Sequence, residues 1–236
     1  MTTTQPAAAG AHQDTGASPA PSARPVPSPH GIAARLRDGT QTEHAAAESQ
    51  PFVRDLMSGG LTVRDYTAMV AAHLEIYREL EDAVAAARRH PWCMALFDQA
   101  LDRTDRLALD LAELCALDGS EAPSTGPAVH RYVERIRSVR EDPVRLIGHH
   151  YIRYLGDLSG GQAIAAMVRR HITPAGLSFY DFADLRPLPH YKQRYRIALD
   201  ALPLNDAGVE ILIDEVRLAF GHNSEVFGEL GGALVC

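Results

Sequence analysis

From Gly31 onward the apolar side chains recur at the three- and four-residue spacing of a helix, and no segment alternates with period two between turn residues. That periodicity predicts an all-α fold and leaves no candidate for a sheet. The clearest helix opens at Thr62, an N-cap residue with Asp65 three positions on, and runs through Tyr66, Met69, Val70, His73, Leu74, Tyr77, Leu80 and Val84 until His90 and Pro91 end it. A second runs from Ile32 to Glu48, with Ile32, Leu36, Thr40, His44 and Ala47 on one stripe. Further helices are predicted over 91–117, 127–140, 142–171, 189–202 and 206–230, with Pro127 and Pro143 in first turns, where proline is tolerated. Gly59-Gly60, Asp118-Gly119-Ser120 and Pro123-Ser124 supply turns. No internal repeat occurs at a fixed period, which argues against a solenoid.

Residues 1–30 hold six of the fifteen prolines, seven alanines and a single large aliphatic residue, Val26. So little apolar surface cannot offset the entropy of ordering a chain, so 1–30 reads as a disordered Pro/Ala-rich tail and 31–236 as the folded domain. The 236 residues carry a net charge of -7, which argues against a nucleic-acid partner. The N-terminal segment lacks the pattern of a secretory signal, and no run of 18 apolar residues occurs, so no membrane anchor is expected. Cys93, Cys115 and Cys236 form no C-x-x-C pair, and this odd set of free thiols suits a reducing cytoplasm.

Residues 151–161 read Y-I-R-Y-L-G-D-L-S-G-G inside an apolar helical pattern that resumes at Ile164. Gly156, Gly160 and Gly161 together cost a helix about 2–3 kcal/mol relative to alanine. Two readings stand open. The stretch is a loop between two helices, or it is a helix bent at its glycines so that bare backbone lies close against a flat ligand. In the second case Asp157 is placed to hold water near a reacting centre; alone, it reads as a solvated surface carboxylate.

His44 extends the Ile32–Leu36–Thr40 stripe, so its side chain should point inward, either as a satisfied core residue or as a ligand. Glu48, one turn on, can approach the imidazole or water near it. No other His or Cys completes a zinc spacing, and no Glu precedes a His by three residues, so the pairs of a di-iron bundle are missing. The ligand reading then points to a haem iron held by one axial imidazole.

Taken together, R-Y-L-G-D-L-S-G-G at 153–161 and L-R-D-G-T-Q-T-E-H-A-A-A-E at 36–48 make the chain resemble the haem oxygenases, a likeness that spans about Gly31 to Leu230. The resemblance implies a single multi-helix domain with haem sandwiched between a proximal helix and a kinked, Gly-rich distal helix. It implies that His44 is the iron ligand with Glu48 beside it, that Gly156, Gly160 and Gly161 lie over the haem face, and that Asp157 organises distal water with Arg153 in its network. It further implies that Lys192 and Arg196, in Y-K-Q-R-Y-R, pair with the haem propionates, assisted by Tyr151 and Arg37, and that Phe220 and Asn223 lie near the pocket. The implied reaction takes haem as substrate and cofactor, with O2 and electrons from an external ferredoxin or NAD(P)H-dependent flavin reductase, and yields biliverdin, ferrous iron and carbon monoxide.

Two positions depart from the family pattern. Gln41 stands where some relatives carry a second lysine, and Leu74 is read as replacing a distal tyrosine, which would leave the water network one hydroxyl short. Two other readings compete with the enzyme. A helical haem carrier or sensor would need neither the glycines nor Asp157. A thiol hydrolase would use Cys93 or Cys115, although Cys115 continues the apolar stripe of Leu111 and Leu114. His149 and His150 are adjacent on a helix, face different ways, and are not expected to share a ligand.

Overall fold

The computed structural model describes residues 1–2 and 30–232, so the segment read as a disordered tail, beyond its first two residues and His30, and Cys236 lie outside the described residues. Among the described residues there are nine α-helices and no strand: α1 (Ile32–Gly39), α2 (Gln41–Glu48), α3 (Pro51–Ser58), α4 (Val63–Ala87), α5 (Thr104–Asp118), α6 (Pro127–Ser138), α7 (Pro143–His171), α8 (Leu188–Asp200) and α9 (Asp206–Gly232).

Side-chain caps mark the starts of two of the long helices. Thr62 and Asp65 form a reciprocal capping box at α4. Asp142 caps α7, its carboxylate accepting from the backbone N–H of Val144 at 3.0 Å and of Arg145 at 3.2 Å, with Pro143 in the first turn. Gly59, at φ 76°, ends α3 in the left-handed conformation that a residue with a Cβ adopts only at a cost.

The helix expected over 32–48 is two helices. Thr40 takes φ -125° and ψ 14° and turns its hydroxyl back onto the Leu36 carbonyl at 2.7 Å, which competes with helix continuation. The Arg217 guanidinium on α9 donates to the Gly39 carbonyl at 3.0 Å and fixes the break. The helix expected over 91–117 begins only at Thr104; turns and a short 3-10 segment precede it, with Asp98 capping that segment. Helix α3 is too short for its periodicity to stand out in the sequence, and none is expected there.

Helix α9 organises the rest. It packs most extensively against α7 and also against α1, α2, α3, α4 and α6, whereas α2 and α7 scarcely touch each other. The core beneath them includes Leu36, Phe52, Tyr66, Ile76, Tyr77, Leu80, Tyr132, Tyr154 and Val216, all at 0% exposure. Burial of each such side chain contributes about 1.5–3 kcal/mol, so this core is what holds the break at Thr40 and the glycines of α7 in place.

Candidate functional site

Helices α2 and α7 both rest on α9 and scarcely pack on each other. His44 stands on α2. Contrary to the inward position expected from its stripe, its side chain is 56% exposed. The other members of that stripe, Ile32, Leu36, Thr40 and Ala47, are buried as expected, so His44 alone of the five lies exposed. The His44 imidazole meets the Phe220 ring edge-on at 5.5 Å between centroids, and its Nδ1 lies 3.4 Å from the Glu48 carboxylate.

Helix α7 continues unbroken through all three glycines, so the loop reading of 151–161 is set aside. Gly156 and Gly160 are exposed, one turn apart, and a Cβ at either would meet nothing within 4 Å. Gly161 faces the other way, and a Cβ there would come 3.1 Å from the Tyr180 ring. A ridge of bare backbone therefore faces open space on one side of α7.

Asp157 is partly buried beside that ridge and accepts a short hydrogen bond from the Tyr77 hydroxyl of α4. Burial raises its carboxyl to about 6, against the opposing pull of the Arg153 charge and the Tyr77 hydrogen bond. Arg153, 7% exposed, sits over the Tyr77 ring at 4.7 Å and donates to the Asn223 side-chain oxygen at 2.7 Å. Phe220 and Asn223 are neighbours on one face of α9, three residues apart. One touches His44 and the other holds Arg153, so α9 links α2 to α7 at this level.

The basic residues lie near one end of the glycine segment of α7. The Lys192 ammonium donates to the Ser159 hydroxyl at 3.4 Å, which places α8 alongside the glycine ridge. Burial raises the Tyr151 phenol, and the charges of Arg196 and Arg37 oppose that shift, which puts all three side chains within electrostatic reach of one another. Arg37 is 72% exposed and its Nε lies 2.8 Å from Asp38.

Sequence reasoning places Tyr77 only among the core residues of the α4 stripe. The structure gives it the hydroxyl expected to be missing at Leu74, which is itself buried at 8% exposure. Nothing in the local pattern separates a core tyrosine from one whose hydroxyl reaches a carboxylate on another helix. The other candidates go elsewhere. Burial pushes the Cys93 thiol up to about 11, which suits a packed thiol and not a thiolate nucleophile, and Cys115 is only partly buried. His149 and His150 diverge as expected: Nε2 of the first pairs with Glu215 at 2.9 Å, and Nδ1 of the second with the Tyr195 hydroxyl at 2.7 Å.

Comparison with known proteins agrees with this layout. Residues 30–229 match the family model described as heme oxygenase. The chain is 35% identical over 208 residues to heme oxygenase 1 of a Nostoc species, covering 86% of this chain and 87% of that protein. The crystal structure of heme oxygenase-1 from the cyanobacterium Synechocystis in complex with heme aligns with a TM-score of 0.80 at 32% identity, covering 87% of this chain and 94% of that one. The heme oxygenase of Leptospira interrogans aligns with a TM-score of 0.78 at 33% identity over 84% of this chain and 99% of the other. With its all-α architecture and a family match that spans almost every described residue, the chain belongs to the haem oxygenase family.

Proposed function

We propose that this chain binds haem in the cleft between α2 and α7 and opens its ring oxidatively, using O2 and electrons from an external donor, to give biliverdin, ferrous iron and carbon monoxide. The observation that carries this reading is an accessible imidazole, His44, together with a ridge of bare backbone at Gly156 and Gly160, on two helices that both rest on α9. A flat group fits there: nothing fills the space a Cβ would occupy, and the imidazole is not committed to the core. Bound haem supplies both the ring to be opened and the iron at which oxygen is activated.

His44 is the iron ligand of this reading. With Nδ1 turned toward Glu48, Nε2 is the nitrogen left for the metal, and the carboxylate fixes the ring orientation and tautomer. A neutral imidazole at His44 would hold the iron without the electron push that a thiolate ligand supplies. Gly156 and Gly160 let the α7 backbone approach the ring plane, whereas Gly161, against Tyr180, does not take part. Asp157 holds and relays protons on that side, with its carboxyl near 6 and therefore able to give or take a proton close to neutrality. Arg153, anchored by Asn223, and Tyr77 fix the carboxylate. Lys192, Arg196, Arg37 and Tyr151 pair with the two propionates and set which meso carbon faces Asp157. A ferredoxin or an NAD(P)H-dependent flavin reductase is the donor this reading calls for.

A helical carrier or sensor that stores haem is the second reading. Asp157 weighs against it, because a carboxylate raised to about 6 by burial and bonded to Tyr77 on another helix has no use in storage. The deciding experiment adds haemin to the purified protein, records the Soret band, and then supplies reductant under oxygen. Decay of the Soret band with growth of a broad red absorption supports the enzyme; a persistent Soret band in the presence of electrons and oxygen overturns it.

A further inference from the structure

Helix α2 has little apolar surface of its own to hold it in place. Of its eight residues only Ala47 is buried, and the His44 side chain it carries is exposed. An element with so few buried contacts belongs to the low-stability end of a fold, and its position depends on what fastens its ends.

Three side chains of α9 supply that fastening. Ile213, Arg217 and Phe220 follow one another at four and three residues, the spacing that puts them on one helix face. Ile213 is buried and sits against Gly39, where a Cβ would come 3.2 Å from the Ile213 side chain, so α1 ends flush on α9. Arg217 Nε donates to the Gly39 carbonyl at 3.0 Å and lies 3.8 Å from the carboxylate of Glu43, in the first turn of α2. Phe220 meets the His44 ring edge-on at 5.5 Å.

The last carbonyls of a helix have no donor within the helix, and a cation there also opposes the negative end of the helix dipole. Arg217 meets both needs of α1 from another helix, through a charge-assisted hydrogen bond, which is stronger than a neutral one. Its guanidinium is itself held, because Nη1 donates to Asp214 at 3.0 Å. The grip on Gly39 passes to His44 over a short route. Thr40 follows Gly39, is buried, and its carbonyl accepts from the His44 backbone N–H at 3.0 Å.

We propose that Arg217 is the positioning residue for His44: by capping α1 at Gly39 and drawing on Glu43 it fixes the start of α2, and with it the place and ring orientation of the imidazole against Phe220. Arg217 acts only through the chain in this scheme and is not a catalytic residue. Because its side chain is 42% exposed, it can be replaced without opening a hole in the core.

The geometric half of the proposal needs no haem, whereas its consequence for iron rests on the haem oxygenase reading, and two measurements keep them apart. In the haem-free protein, NMR reads the ring-current shift that Phe220 imposes on the His44 ring protons. Arg217→Gln is expected to lose most of that shift, and Arg217→Lys, which keeps a cationic donor, to recover it. An unmoved shift in Arg217→Gln, or a loss that lysine leaves unrepaired, overturns the proposal whatever the chain does with haem. In the haem complex, Arg217→Gln is expected to move the iron–imidazole stretching band and to weaken haem binding roughly tenfold, the low end of the 10- to 100-fold that loss of an orienting partner costs a metal site. A variant that loses the ring shift while its haem complex stays wild-type upholds the role of Arg217 and places the failure in the reading of His44 as the iron ligand.

Discussion

The Tyr77 hydroxyl donates to the Asp157 carboxylate, tying the middle of α4 to the glycine ridge of α7. That bond lowers the Asp157 carboxyl against the burial that raises it to about 6. Replacing Tyr77 with Phe removes the donor and keeps the ring under Arg153. The Asp157 titration is expected to move upward from about 6, read by NMR of a carbon-13-labelled side chain, and haem turnover to fall on the order of tenfold, part of the roughly 10²–10⁴ range of acid–base assistance. An unmoved titration would show that the bond does not form in solution.

Asp157 also makes a stability prediction. Its folded-state carboxyl lies above the usual 3.8, so the folded protein holds this proton more tightly than the unfolded chain does. The contribution is fully present below about pH 4 and is lost as pH rises through about 6. Asp157→Asn abolishes that loss. The variant therefore gains on the wild type by up to about 2–3 kcal/mol between about pH 4 and 8, since each tenfold difference in proton affinity is worth roughly 1.4 kcal/mol. Parallel stability-versus-pH curves from denaturant titrations would contradict it.

His44 is an exposed residue with a proposed ligand role, a combination that separates stability from function. His44→Ala is expected to change unfolding stability by no more than about 0.5 kcal/mol, as surface substitutions do. The same variant should lose the five-coordinate histidine signature in the Soret and resonance Raman spectra, and added imidazole should restore it. A retained axial signature would assign the ligand elsewhere.

Gly160 gives the reverse trade. A Cβ there meets nothing within 4 Å in the haem-free chain, so Gly160→Ala should raise helix stability by about 0.8–1 kcal/mol. In the haem complex the added methyl group intrudes on the ring plane, and affinity is expected to fall. Thermal melts and haem titrations read the two effects. Tighter haem binding by Gly160→Ala would remove the close-approach argument for this ridge.

Glu215 tests the packing of α6, α7 and α9. Burial pushes its carboxyl up, but hydrogen bonds from His149, Arg135 and Arg145 outweigh burial and hold it well below the usual 4.5. Its stabilising contribution is present above that ordinary value and is lost only in strong acid. Glu215→Ala leaves two arginines facing a buried gap and should cost about 3–5 kcal/mol, measured by urea unfolding at neutral pH.

The helical class, the capped starts of α4 and α7, the unusual glycine content of 156–161, and the singling out of His44 and Asp157 are all legible in the amino-acid order. They rest on periodicity, caps and composition within a turn or two of chain, where local steric and hydrogen-bonding rules operate. What lies beyond that range came from the packing of the helices. The break at Thr40 is held by Arg217, 178 residues away from the Gly39 carbonyl it binds, and His44 alone of its stripe is exposed. The role of Tyr77 depends on a partner 80 residues later, and the link from His44 to Arg153 runs through Phe220 and Asn223 on α9. Which side chain meets which across helices is fixed by how whole helices pack, and the spacing of apolar residues along a single helix carries only its own inward direction.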